Sequence, residues 1–364
     1  MSEPESHNTT GQFALSSSIE DCRWHDLQGQ QAFERWHFDA LSDDGREALV
    51  ITFHDNCAFS PRYFQQGSRN GNSLGHTQKL PSVSLIYAVD GRPVLRTVNE
   101  FTQEHFSAGS EGVSCSIGES SFHINAASYG RGFVLNVDLL TTWNRRIKAE
   151  LEWLSIESDL SPEAAEEENQ EIDACWNIAA PRSDVSGRIT LYGPQGTTRR
   201  LLHFRGTGYH DHIRSSRSLT EAIGSRYWGR VHFADSTAIF NCHDHGGRLQ
   251  PYAKLLLIRD GVIDQREISN IDRFIKPSHA FKGPGLLTFI PDDEIMFRIK
   301  PISVFQSGFF ERKALCEMTL DLPDGKPRKA IGITELLTPE LMRSRLIRWL
   351  ADLRIGKNGK CPVY

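Results

Sequence analysis

Short runs of β-branched and aromatic residues, each closed by turn chemistry, recur along nearly the whole chain, and they leave room for only one long helical pattern. Residues 34–39 (ERWHFD) alternate in polarity, Ser42-Asp43-Asp44-Gly45 makes a turn, and residues 48–53 (ALVITF) are apolar and β-branched. Residues 83–89 and 93–98 flank Asp90-Gly91, a dipeptide suited to a tight hairpin because glycine accepts positive φ. Further strands are predicted at 122–126, 133–139 and 146–154. The pattern resumes at 187–192, 199–204, 229–233, 238–242, 252–259, 267–274, 286–290 and 313–320. The helical pattern comes last. Thr338-Pro339-Glu340 supplies a start, and Leu346, Ile347, Trp349, Leu350 and Leu353 follow at helical spacing before Gly356, with their apolar side expected to face the core. The chain therefore reads as mainly β, a sandwich or barrel architecture.

Organisation follows from charge. Between residues 157 and 173 the chain carries eight acidic residues and no basic one, and removing that segment leaves the remainder slightly basic. It divides the reading into a polar, flexible N-terminus (1–20), an N-terminal β half (21–156), an acidic linker or loop (157–173), a C-terminal β half (174–337) and a C-terminal helix (338–356). His37-Phe38 leading to His54-Asp55-Asn56 is echoed by His232-Phe233 leading to His243-Asp244, as two related halves or chance would both produce.

Composition excludes several classes. With 41 Lys+Arg against 46 Asp+Glu and a net charge of −5, the chain is not an electrostatic nucleic-acid binder. No apolar run approaches the ~18 residues of a membrane span. The polar N-terminus carries no secretory signal, and seven dispersed cysteines point to a reducing, cytoplasmic setting. No phosphate-binding or dinucleotide-binding fingerprint occurs. Gly71-Asn72-Ser73-Leu74-Gly75 follows a polar run rather than a strand, so it reads as a loop.

The densest chemistry lies in Arg205-Gly206-Thr207-Gly208-Tyr209-His210-Asp211-His212, where a carboxylate between two imidazoles suits acid–base work. In a strand, His210 and His212 share one face and Asp211 takes the other. His243-Asp244-His245 repeats the pattern. The two His-x-His pairs could supply four ligands, although the turn-forming glycines after His245 argue against it and no metal is expected. Tyr227, Trp228, Trp176, Phe59, Tyr63 and Phe240 supply aromatic surface for an apolar ligand, with His243 beside it. Arg343, Arg345 and Arg348 add a basic surface suited to peripheral contact with a membrane.

Gly206-Thr207-Gly208-Tyr209-His210-Asp211-His212, with Tyr227-Trp228-Gly229-Arg230 after it and Trp176, Pro181 and Gly187 before it, resembles the carotenoid 1,2-hydratase (hydroxyneurosporene synthase) and AttH-like family. Phe59-Ser60-Pro61-Arg62-Tyr63 resembles it too. The match spans residues 34–340, although His212 is followed by Ile213-Arg214-Ser215 where the hydratases continue His-Asn-aromatic-Gly. The resemblance implies two lipocalin-like β-barrel or sandwich halves and cofactor-independent chemistry on an apolar isoprenoid or polyene. That chemistry is acid–base hydration, isomerisation or cyclisation, or else Diels–Alder templating as in fungal relatives. A non-catalytic terpenoid or lipid carrier is the third expectation. For hydration, Asp211 or Asp244 would be the acid, His212 or His210 its partner, and Tyr209 and Trp228 would shape the pocket.

Overall fold

The computed structural model describes residues 14–29, 31–69, 78–127, 130–141, 144–162, 174–244, 252–268, 287–292, 295–323, 325–357 and 360–361. They form two curled, mostly antiparallel sheets, each wrapped around its own core. In the first sheet, Ala174–Tyr192, Thr198–Ser215, Phe33–Ser42, Glu47–His54, Ser82–Val89 and Arg92–Glu100 are successive neighbours. The short C-terminal strands Gly356–Lys357 and Lys360–Cys361 bridge from Arg92–Glu100 to Gly130–Thr141. Arg146–Glu157 pairs on one side with Gly130–Thr141 and on the other with Ala174–Tyr192, which closes the ring into a barrel. Trp36, Phe38, Phe53, Phe122, Phe133 and Trp153 fill it. The second sheet runs Val262–Ile268, Tyr252–Arg259, Thr237–Asp244, Ser225–His232, Arg328–Leu337, Glu311–Asp321, Ile295–Ser307 and Leu287–Asp292, with Ser161–Pro162 on its edge, around Tyr227, Phe240, Phe289 and Phe297. The mainly β, two-halved architecture with a C-terminal helix agrees with the sequence reading.

The sheets do not part at the acidic segment. Ala174–Tyr192 and Thr198–Ser215, expected in the C-terminal half, belong to the first barrel, where Gly206–Ser215 pairs with Phe33–Ser42. Periodicity tells which side of a strand is apolar; it does not name the neighbouring strand. Residues 163–173, most of the acidic segment, lie outside the described residues. The polar N-terminus is shorter than expected, since Ala14–Ser16 pairs with Cys175–Asn177 and Ile19 and Cys22 are buried in the barrel core.

Two local corrections bear on the site. The Gly206–His212 motif lies inside an 18-residue strand, and its glycines serve close packing. A Cβ on Gly206 would stand 1.9 Å from the Leu41 carbonyl oxygen, and one on Gly208 would stand 2.4 Å from Trp153 Nε1. The C-terminal helix is only Arg345–Asp352, after a 3₁₀ turn at Pro339–Arg343. Its apolar stripe faces outward, with Leu346, Trp349 and Leu353 exposed by 62, 59 and 55%. The buried side is narrow, carried by Ala351, because the chain must return at once to pair Gly356–Lys357 with the first barrel.

The barrel's outer surface is itself covered. Trp176, Ile178, Tyr209 and Ile213 of the first sheet pack with Trp228, Ile239, Leu256 and Ile258 of the second. Leu41, Val50 and Ile86 pack with Phe305, Leu315 and Ile333. Polar side chains buried between these two apolar patches form the seam described next.

Candidate active-site cleft

Alternation along two facing strands builds the seam. Trp36 and Phe38 point into the first barrel, so Arg35, His37 and Asp39 point at the second sheet; Tyr227 and Val231 point into the second core, so Arg226, Trp228 and Arg230 point back. The Glu335 carboxylate accepts from Trp228 Nε1 at 2.6 Å and from Arg35 Nη2 at 3.0 Å, and pairs with Lys313, which also holds Glu311. Arg35 donates to His37 Nδ1 at 3.0 Å, and His37 Nε2 donates to Asp39 Oδ2 at 3.2 Å. Arg230 closes the chain on Asp39 with Nε at 2.7 Å from Oδ1. Burial opposes charge on Glu335, but Arg35 and Lys313 outweigh it and hold that carboxyl well below the usual range. For Asp39, Arg230 outweighs burial in the same way. Both buried carboxylates of the network are thus ionised and paired with cations, as buried charges must be to persist.

At one end the seam opens into a narrow cleft. Thr52, His54, Phe59, Ser82, Ser84 and Arg96 line one side. The Gly308–Glu311 turn of the second sheet, Ala351 at the end of the helix, and Arg354 and Ile355 after it line the other. Phe59 stacks on Phe310 across it, with ring centroids 5.5 Å apart and planes at 15°. His54 sets its ring edge-on to Phe59 at 5.4 Å. Burial, followed by the Arg35 charge, pushes His54 well below the ordinary histidine range, so it is a neutral imidazole. Its Nδ1 is buried and has no hydrogen-bond partner among the described residues. Glu311 is the carboxyl on the facing wall, with Oε2 accepting from Gln306 Nε2 at 2.6 Å. An aromatic-walled cleft with a neutral imidazole and a carboxyl from opposite sheets has the parts for proton transfer to and from an apolar ligand.

The residues singled out in the sequence separate into groups. Tyr209 and Asp211 do point toward the seam, where Asp211 Oδ2 accepts from Trp176 Nε1 at 2.8 Å and from the Tyr209 hydroxyl at 2.9 Å, yet neither lines the cleft. His210 and His212 take the opposite face, as alternation requires, and enter the first barrel. His210 stacks on Phe38 at 3.8 Å, and His212 stacks on Trp36 at 4.7 Å and meets Glu34. Neither histidine can serve as partner to Asp211. Trp176 and Trp228 flank Arg226, whose guanidinium lies 4.8 and 5.3 Å from their ring centroids, so the cation between those rings belongs to the protein. Tyr227 and Phe240 fill the second core, and Tyr63 is structural, its hydroxyl donating to the Gln31 carbonyl at 2.5 Å. His243 bonds Asn241 and the Ile223 carbonyl on the second sheet, away from His210 and His212. The side chains of Asp244 and His245 lie outside the described residues, as do residues 71–75. Of the expected ligand-binding residues, Phe59 alone reaches the cleft.

Arg35, His54, Glu311 and Phe310 line the cleft, with Glu335 in the network behind it, and none was singled out for chemistry. His54 drew notice only through the echo between the halves.

No family model matches the chain. Hydroxyneurosporene dehydrogenase of Chlorobaculum tepidum is 22% identical to it over 349 residues, 93% of this chain and 90% of that one. Among solved structures, the AttH-like protein NE1406 of Nitrosomonas europaea superposes with a TM-score of 0.58 at 14% identity, over 93% of this chain and 99% of its own. The fold is AttH-like. The crystal structure of CghA with Sch210972 gives a TM-score of 0.57 at 14% identity, over 90% and 94% of the two chains. The similarity of fold thus extends over nearly the full length of the chain, beyond residues 34–340.

Proposed function

We propose that this protein is an enzyme that binds an apolar isoprenoid or polyene in the inter-sheet cleft and acts on its C=C bonds by proton transfer, without a cofactor. The observation that carries this reading is the placement of Glu311 and His54 on opposite sheets along one cleft walled by Phe59 and Phe310. The relative from Chlorobaculum bears a carotenoid-pathway name, which supports an acyclic carotenoid as the substrate class. Glu335 keeps its charge through Arg35, Trp228 and Lys313, whereas Glu311 shares Lys313 and faces the ligand. Glu311 is the carboxyl placed along the cleft to deliver the proton. Protonation of a trisubstituted alkene at its less substituted carbon leaves a tertiary cation. Water adds to that cation, and neutral His54 accepts the proton water releases. Asp211 and Tyr209 anchor the seam behind.

Native mass spectrometry after incubation with an acyclic carotenoid in mild detergent tests this directly. A one-to-one adduct is expected, with a product one water heavier, and Phe310→Ala should weaken capture about tenfold through lost aromatic contact. Capture without conversion would make the protein a carrier, and neither capture nor conversion would end the proposal.

The exposed stripe Leu346, Trp349 and Leu353 lies beside the cleft rim at Ala351, Arg354 and Ile355, with Arg343 and Arg345 exposed around it. An apolar stripe within a basic rim matches an anionic lipid surface, from which such a substrate would enter. Flotation with phosphatidylglycerol vesicles should carry the protein at low salt and release it at high salt. Trp349→Ala should weaken flotation, and equal flotation of both proteins would remove the helix from this role.

A further inference from the structure

Inside the mouth of the first barrel, three electron-pair donors converge on one point. Glu34 Oε2 lies 3.0 Å from His212 Nε2 and 3.3 Å from His25 Nδ1, and the three atoms fall within 4.8 Å of one another. Asp21 turns both imidazoles. His212 Nδ1 lies 3.2 Å from the Asp21 main-chain oxygen, which accepts only from an N–H, and His25 Nε2 lies 3.1 Å from Asp21 Oδ1. With their outer nitrogens donating, the inner nitrogens both face the same carboxylate oxygen, and neutral rings would offer them as lone pairs to an ion between. The contact of His212 Nε2 with Glu34 makes no aligned hydrogen bond, and this nitrogen has no other partner among the described residues. The remaining oxygens are already used. Glu34 Oε1 accepts from the His25 backbone N–H at 2.9 Å, and Asp21 Oδ2 accepts from Arg214 Nη1 at 2.7 Å.

We propose that His25, Glu34 and His212 form a binding site for a divalent transition metal of the zinc type, with Asp21 orienting the two imidazoles. Ligand nitrogens and oxygens about 2.0–2.2 Å from a zinc ion stand roughly 3.0–3.5 Å apart, which matches the two short contacts. A histidine ligand whose far N–H meets a carboxylate or carbonyl is the usual supporting arrangement, and here one residue serves both rings. Glu34 and His212 are fully buried and His25 is part-buried, so the ion would enter from the side of the Glu20–Cys22 turn. Glu34 lies on the barrel face of its strand and Arg35 on the cleft face, so the metal stands apart from the proposed chemistry. Its effect is to pin the segment leading into Phe33–Ser42 across the barrel end.

The test is metal titration of the intact, chelator-stripped protein. One equivalent of Co²⁺ should bring visible d–d absorption without a thiolate charge-transfer band, which excludes the buried cysteines as ligands. Zn²⁺ should displace Co²⁺ and raise the melting temperature. His25→Ala, a change at a part-exposed residue, should lose both responses while staying folded by circular dichroism. His123→Ala, an exposed histidine elsewhere on the barrel, should keep both. Absence of the Co²⁺ band in the wild type, or its persistence in His25→Ala, would overturn the site.

Discussion

Glu311→Gln is expected to lower turnover by about 10²- to 10⁴-fold, the range that a positioned acid supplies, with little change in substrate capture. The substitution keeps the shape and removes only the ability to deliver a proton. Folding should survive, because Lys313 retains Glu335 as its partner when Glu311 is made neutral. Glu335→Gln would be a poor probe. It would leave Arg35 and Lys313 facing each other in a fully buried site, where breaking an ion pair costs about 3–5 kcal/mol and lost activity would report unfolding. Steady-state turnover of an acyclic carotenoid, with denaturant melts of both proteins, decides the matter. If Glu311→Gln turns over at the wild-type rate, catalysis comes from the shape of the aromatic cleft, as in a templated cycloaddition, and Phe59 and Phe310 become the residues to change.

The sequence discloses the architecture more readily than the site for a physical reason. A strand such as ERWHFD shows its two faces plainly, and the hairpin at Asp90-Gly91, with φ of 50° and 71°, follows from residue type alone. What the pattern hides is that the polar face of that strand is buried too. Arg35, His37 and Asp39 look like a solvated edge until Arg226, Trp228 and Arg230, spaced by two on a strand far along the chain, are set against them. The pairing of charges across the seam is the one signal available in the residues, and it becomes readable only once the two strands are known to face each other. The same ignorance of partners placed Ala174–Ser215 in the wrong sheet. The Gly206–His212 motif is plain in the residues, but strand alternation splits it, sending Tyr209 and Asp211 to the seam and both histidines to the barrel. His212 then gains its chemistry from Glu34 and His25, residues with no local mark.

Acid should destabilise the protein steeply between pH 6.5 and 5. Burial is the leading cause that pushes His54, His210 and His232 well below the ordinary histidine range, so all three stay neutral in the fold. Above about pH 6.5 they are neutral in the unfolded chain as well and contribute no pH dependence. Below it the unfolded chain binds up to three protons that the folded one refuses, so stability falls as pH falls, by about 1.4 kcal/mol per pH unit for each histidine. Asp55, which burial raises to about 6, binds a proton in the fold over the same range and offsets about one of the three, so the combined slope is about 3 kcal/mol per unit, against a total of about 5–15 kcal/mol for an ordinary protein. His25 moves the other way. Although burial opposes it, Asp21 and Glu34 raise this histidine, so its contribution is full below about pH 6.5 and is lost above, outside the window in question. The carboxylates held low by their partners, Glu34 at about 2 together with Asp39 and Glu335, lose their contribution only as pH drops below about 4.5. Urea midpoints at pH 7.5, 6.5, 5.5 and 5.0 measure the slope. His54→Gln should reduce it by about 1.4 kcal/mol per unit, because His54 supplies one of the three refused protons and its Nδ1 makes no hydrogen bond to lose. A flat midpoint across that range would mean the buried imidazoles accept protons in place, and His54 would then not be the neutral base the cleft requires.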